Sequence, residues 1–152
     1  MTSYHDVLAT TTSVLLVDWP SRDVPDTLAR AGWTVFVKGG PQPDNYSAYQ
    51  MEGDEVVSRP VGHPPEQADL VYSHRPLNEL PGIVARARQL GARAVWHQSG
   101  RSEAGSKDPR GCWVPEAESE QARTLVEAAG LHYFESPYLA DAVRARAERP
   151  PG

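Results

Sequence analysis

With 152 residues, 39% of them hydrophobic and 23% charged, the chain has the size and composition of one domain that buries its apolar surface without disulfides or a metal. A formal net charge of -5 argues against nucleic acid as a partner, because phosphate backbones are met by a basic stripe. The one cysteine, Cys112, excludes an internal disulfide and a cysteine zinc site.

No apolar run approaches the roughly 20 residues that cross a bilayer, and the opening MTSYHDVLATTT has neither a basic n-region nor an apolar core. A cytoplasmic protein without membrane contact is expected. Residues 1–13 read as a helical lead-in, 14–147 as one ligand-binding domain and 148–152 as a tail.

Ser3 to Ala9 fits a short helix, with Ser3 as N-cap and Leu8 turned back onto a sheet. Val14-Leu15-Leu16-Val17 is a run suited to a strand buried on both faces, and it ends in the polar loop Asp18 to Asp23. Pro25 opens a helix with Val24, Leu28 and Ala31 inward, and Gly32 closes it. Trp33 to Val37 is the second strand, and Lys38-Gly39-Gly40 follows it. Residues 41–53, rich in Pro, Asp, Asn and Tyr, read as a surface loop, and Glu55 to Arg59 as a short edge strand.

Asp69 to Ser73 is a core strand ending in His74-Arg75-Pro76. Leu80, Ile83, Val84, Ala87 and Leu90 then recur at helical spacing. Ala92 to Trp96 is the next strand, followed by His97-Gln98-Ser99-Gly100. Residues 101–114 are polar and Gly-rich, a loop or lid near the same sheet edge. Pro115 to Ala129 is a helix, Leu131 to Phe134 the last strand, and Ser136 with Pro137 starts a final helix through Ala147. This alternation predicts an α/β, three-layer Rossmann-like fold: a five-stranded, mainly parallel sheet with helices on both faces. Ligands of such sheets collect at the carboxyl ends of the strands.

Three pieces fall there: the loop from Asp18 to Arg22, the run His74-Arg75-Pro76, and Trp96 to Gly100. The segment GARAVWHQSG resembles the "GA-K-AVW-Q-G" stretch of the small bacterial CoA-binding proteins with a Rossmann-like fold. The strand from Asp69 ending near Arg75-Pro76, and the EAAGL turn before the last strand, are also similar to that family. The resemblance runs from about Val14 to Phe134 and implies binding of coenzyme A, an acyl-CoA or a related nucleotide, without catalysis. By position it assigns Asp18, Trp19, Pro20, Ser21 and Arg22 to a diphosphate loop, and Lys38 with Gly39 to the adenosine end. His74, Arg75, Pro76, Trp96, Gln98 and Gly100 complete the implied cofactor-binding set.

The residues themselves leave alternatives open. The family usually carries a Gly-x-Ser turn where this chain has Asp18-Trp19-Pro20, which opens a second reading: an interaction or scaffold protein whose CoA site has decayed. Trp19 would then act as a lid, Trp96 as core, and Arg75 would pair with Asp18 or Asp69. His74 and His97 with Asp18 or Asp23 form a candidate metal or acid–base set, although no His-x-x-x-His spacing supports a metal. Cys112 with His97 would be a nucleophile and base, the third reading. Neither a catalytic residue nor a metal ligand is assigned. The expected partner is a small nucleotide ligand, with a homodimer or a protein partner left open.

Overall fold

The computed structural model describes residues 3–18, 22–100, 107 and 115–148. Its elements in chain order are α1 (Tyr4–Ala9), β1 (Ser13–Val17), α2 (Asp23–Arg30), β2 (Thr34–Lys38), β3 (Tyr46–Glu52), β4 (Glu55–Pro60), β5 (Leu70–Ser73), α3 (Leu80–Gln89), β6 (Ala94–His97), α4 (Glu116–Ala128), β7 (His132–Phe134) and α5 (Leu139–Glu148). A 3-10 turn over Leu77–Glu79 leads into α3. The sheet has seven strands in the order β4-β3-β2-β1-β5-β6-β7.

Seven strands correct the expected five, and the sheet is mixed rather than mainly parallel. The β2, β1, β5, β6 and β7 strands pair in parallel, whereas β3 runs antiparallel to β2, and β4 antiparallel to β3. The segment read as a loop over 41–53 is half strand: Tyr46 pairs with Lys38, and Glu52 with Glu55 across the two-residue turn Gly53-Asp54. Gly53 holds φ +63° in that turn, a conformation open to glycine without a Cβ clash.

Successive side chains of β1 point to opposite faces, and each face has its own core. Val14 and Leu16 join α1, α2 and α5 through Val7, Leu28 and Leu139. Leu15 joins α3 and α4 through Val84 and Val126. Ser3 caps α1 by a reciprocal exchange with Asp6, and Leu8 is buried against the sheet as expected. On α2 it is Ala29 that is buried, whereas Ala31 lies past the last turn and is exposed. Arg144 of α5 binds Asp23 at 2.8 Å and Thr27 at 2.9 Å, tying the last helix to the first crossover.

The final helix begins at Leu139 rather than at Pro137. Its first N–H is received by the Oε1 of Gln98 at 3.1 Å, so a side chain from the end of β6 does the work of a local cap.

Candidate functional site

The chain leaves β1 for β2 on one side and returns to β5 on the other, so the strand order reverses between β1 and β5. Loops diverge there, and a crevice opens beyond the carboxyl ends of the two strands. Asp18 follows β1 and Arg75 follows β5. Their side chains meet across the crevice, Arg75 Nη1 lying 3.2 Å from Asp18 Oδ2. Arg75 also grips Glu79 one helical turn on, through Nε at 3.0 Å and Nη2 at 2.7 Å. These bonds raise the guanidinium pKa further, the one to Glu79 more than the one to Asp18.

Two clefts share Arg75. One, of about 570 Å³, is bounded by Asp18, Lys38, Gly40, Pro41 and Glu79. Lys38 ends β2 and turns back over its own loop, donating to Gly39 O at 3.0 Å and Gly40 O at 2.7 Å. Asn45 packs against that turn, with its Nδ2 only 3.3 Å from where a Cβ on Gly39 would sit. The antiparallel β3 therefore positions Lys38 twice, by strand pairing and by laying the Tyr46 ring 5.8 Å below the ammonium.

The second cleft, of about 430 Å³, lies over β5, β6 and β7 against α4. His74, Pro76 and Gln98 of the implied binding set line it, with His97, the acid–base candidate, and Glu118, Ser119, Tyr133 and Glu135. Ser119 donates to Glu135 Oε2 at 2.8 Å, which holds α4 to the end of β7. His97 is 5% exposed and its Nδ1 is enclosed without a hydrogen-bond partner among the described residues. Burial depresses its pKa, with Glu135 acting in the opposite sense and His74 adding to the depression. His74 is lowered too, chiefly by burial, against the pull of Asp18 and with help from Arg75. Both rings are held toward the neutral form.

Trp96, Gly100 and Arg22 stand elsewhere, and Gln98, though it lines the cleft, is committed to the fold. Trp96 is fully buried, its indole N–H donating to Pro137 O at 3.2 Å between the Tyr4 and Phe134 rings. Gln98 spends its amide on the backbone: besides accepting from Leu139, it donates to Ser99 O and Glu135 O. Gly100 is buried beside it. Arg22 bonds Asp26 at 3.0 Å and lies over the Tyr49 ring, lining neither cleft. Trp19, Pro20, Ser21 and Cys112 lie outside the described residues, as does most of the stretch read as a lid over 101–114. Among the described residues no group of three or more His, Cys, Asp or Glu could hold a metal ion. Asp23 is engaged by Arg144 instead.

Sequence reasoning missed Glu79, Glu118, Ser119, Tyr133 and Glu135. The Arg75–Glu79 pair had a signal, the i,i+4 spacing at the start of a helix. Glu118 sits in an acidic run that complements the helix dipole, a sufficient local reason that concealed its place at a cleft.

A parallel core sheet wound on both faces, with a guanidinium across its switch-point crevice, defines a Rossmann-like ligand-binding domain. The chain matches the CoA binding domain family over residues 16–139 and belongs to that family. No curated protein and no solved structure gives a significant match.

Proposed function

We propose that the chain binds coenzyme A or an acyl-CoA at the carboxyl edge of its sheet, as a binding protein without catalysis. The observation that carries this reading is Arg75, one cation common to two contiguous clefts at the switch point. Coenzyme A is a long ligand with a phosphorylated end and an uncharged pantetheine arm. Lys38 and Arg75 serve the phosphates from the first cleft, and the second cleft receives the arm. The binding unit is residues 14–147. The lysine after β2 also stands where an NAD-binding site places an acidic residue on the ribose, so NAD is disfavoured.

Titration calorimetry of ligand-stripped protein with CoA, ATP and NAD tests the reading. CoA is expected to bind with NAD silent, and Arg75→Ala to weaken CoA about 10- to 100-fold, the loss of hydrogen bonds to a charged partner. Absence of heat with all three ligands would refute it.

One observation favours a second reading, an interaction protein with a decayed site. Asp18 already occupies Arg75, and Lys38 is spent on its own loop carbonyls. If those contacts never yield to a phosphate, the crevice is closed by its own side chains. The same titration separates the two readings.

A further inference from the structure

The second cleft has a chemistry of its own. Its walls include Leu77, Ala122 and the Tyr133 ring, and the buried His97 stands among them. Most polar neighbours are already committed: Gln98 to backbone, Ser119 to Glu135. The enclosed Nδ1 of His97 has no hydrogen-bond partner among the described residues.

A neutral imidazole carries one proton, and a buried N–H without an acceptor is costlier than an unpaired lone pair. That favours the tautomer with its proton on Nε2, the ring nitrogen that is not enclosed as an orphan. An Nε2–H at this cleft is a donor suited to a carbonyl oxygen. Glu118 and Glu135 flank the same space, and a further carboxylate brought there would meet like charge.

We infer that this cleft is an acyl-recognition pocket in which His97 donates to the carbonyl oxygen of an uncharged acyl thioester, while Glu118 and Glu135 turn away acyl chains ending in a carboxylate. The inference rests on the proposed CoA reading and adds a preference for acyl-CoA over free CoA. The pocket's size, about 430 Å³, suits a short aliphatic acyl group with the end of the pantetheine arm.

The test compares ligands that differ in one atom group. Butyryl-CoA, with a thioester carbonyl, is expected to bind about five-fold tighter than S-butyl-CoA, the thioether without it, as one added hydrogen bond implies. Succinyl-CoA should bind more weakly than butyryl-CoA, and Glu118→Gln should narrow that gap. His97→Phe should bring the butyryl-to-butyl ratio close to one, whereas His97→Gln, which keeps an N–H donor, should retain part of it. Equal affinities for the two butyl ligands in the unmutated protein overturn the inference, as does a ratio that survives His97→Phe.

A second arm uses S-butyryl-pantetheine, which lacks the nucleotide, with the His97 ring signals read by NMR. If CoA binds but those signals stay still, the acyl pocket is refuted and the CoA reading stands. If no CoA derivative binds yet the signals move, the CoA reading falls and the pocket remains. Silence in both arms removes both.

Discussion

Asp18 holds φ +66°, a left-handed conformation that glycine adopts freely and that aspartate tolerates better than most residues. Its backbone path is one that a glycine would also follow, and its carboxylate lies 3.2 Å from Arg75. The bridge to Arg75 is exposed, with side-chain exposures of 44% and 41%, and such pairs contribute at most about 1 kcal/mol. Its larger effect is on a phosphate, which must displace the Asp18 carboxylate and then sit near it. Asp18→Gly and Asp18→Asn are both expected to strengthen CoA binding about three- to five-fold by calorimetry. Asparagine keeps the local preference for positive φ and removes only the charge. Unchanged affinity in Asp18→Asn would mean that the bridge does not compete with ligand.

At the scale of elements, Gln98 joins β6, the stretch after β7 and the first turn of α5 through one buried amide. Gln98→Leu fills similar space but leaves the Leu139 N–H without an acceptor. A loss of about 2–3 kcal/mol in urea unfolding is expected, and a loss below about 1 kcal/mol would show that water replaces the amide. The same contact explains a boundary that sequence reasoning misplaced. Capping rules look a few residues back, to Ser136 and Pro137, but the acceptor here comes from 41 positions earlier. The β3 strand failed for a different reason. Its turn signal, Gly53-Asp54 between two chain runs, was present, but Pro41, Pro43, Asp44 and Asn45 just upstream weighed the segment toward loop. The core parallel strands were legible because apolar runs buried on both faces have no other use in a chain of this polarity. The cleft was legible only on its strand side. His74, Arg75 and His97 follow strands and announce themselves, whereas Glu118, Ser119 and Glu135 reach them only once α4 has packed against β7.

For the molecule as a whole, the two buried-side histidines couple folding to acidity. Both have pKa values depressed in the folded state, mainly by burial. Below the ordinary histidine value of about 6.5 the unfolded chain takes up protons that the folded chain refuses, so stability is full above that pH and declines as pH falls below it. A thermal-melt series from pH 7.5 to 5 should show this decline, and His97→Leu should flatten part of it. A melt temperature that is independent of pH over that range would mean both rings ionise freely in place. Among the described residues no helix is long and apolar enough to cross a membrane.

Arg75 is a wall of two cavities at once. An occupant of the first cleft that draws the guanidinium away from Asp18 reshapes the mouth of the second, and an occupant of the second that repositions it alters what the first can hold. Their fillings are then one linked equilibrium, and linkage is symmetric: whatever factor the phosphate end lends to the acyl end, the acyl end returns. A ligand that spans both clefts would then differ in affinity from its two halves by that one factor, set through a single side chain.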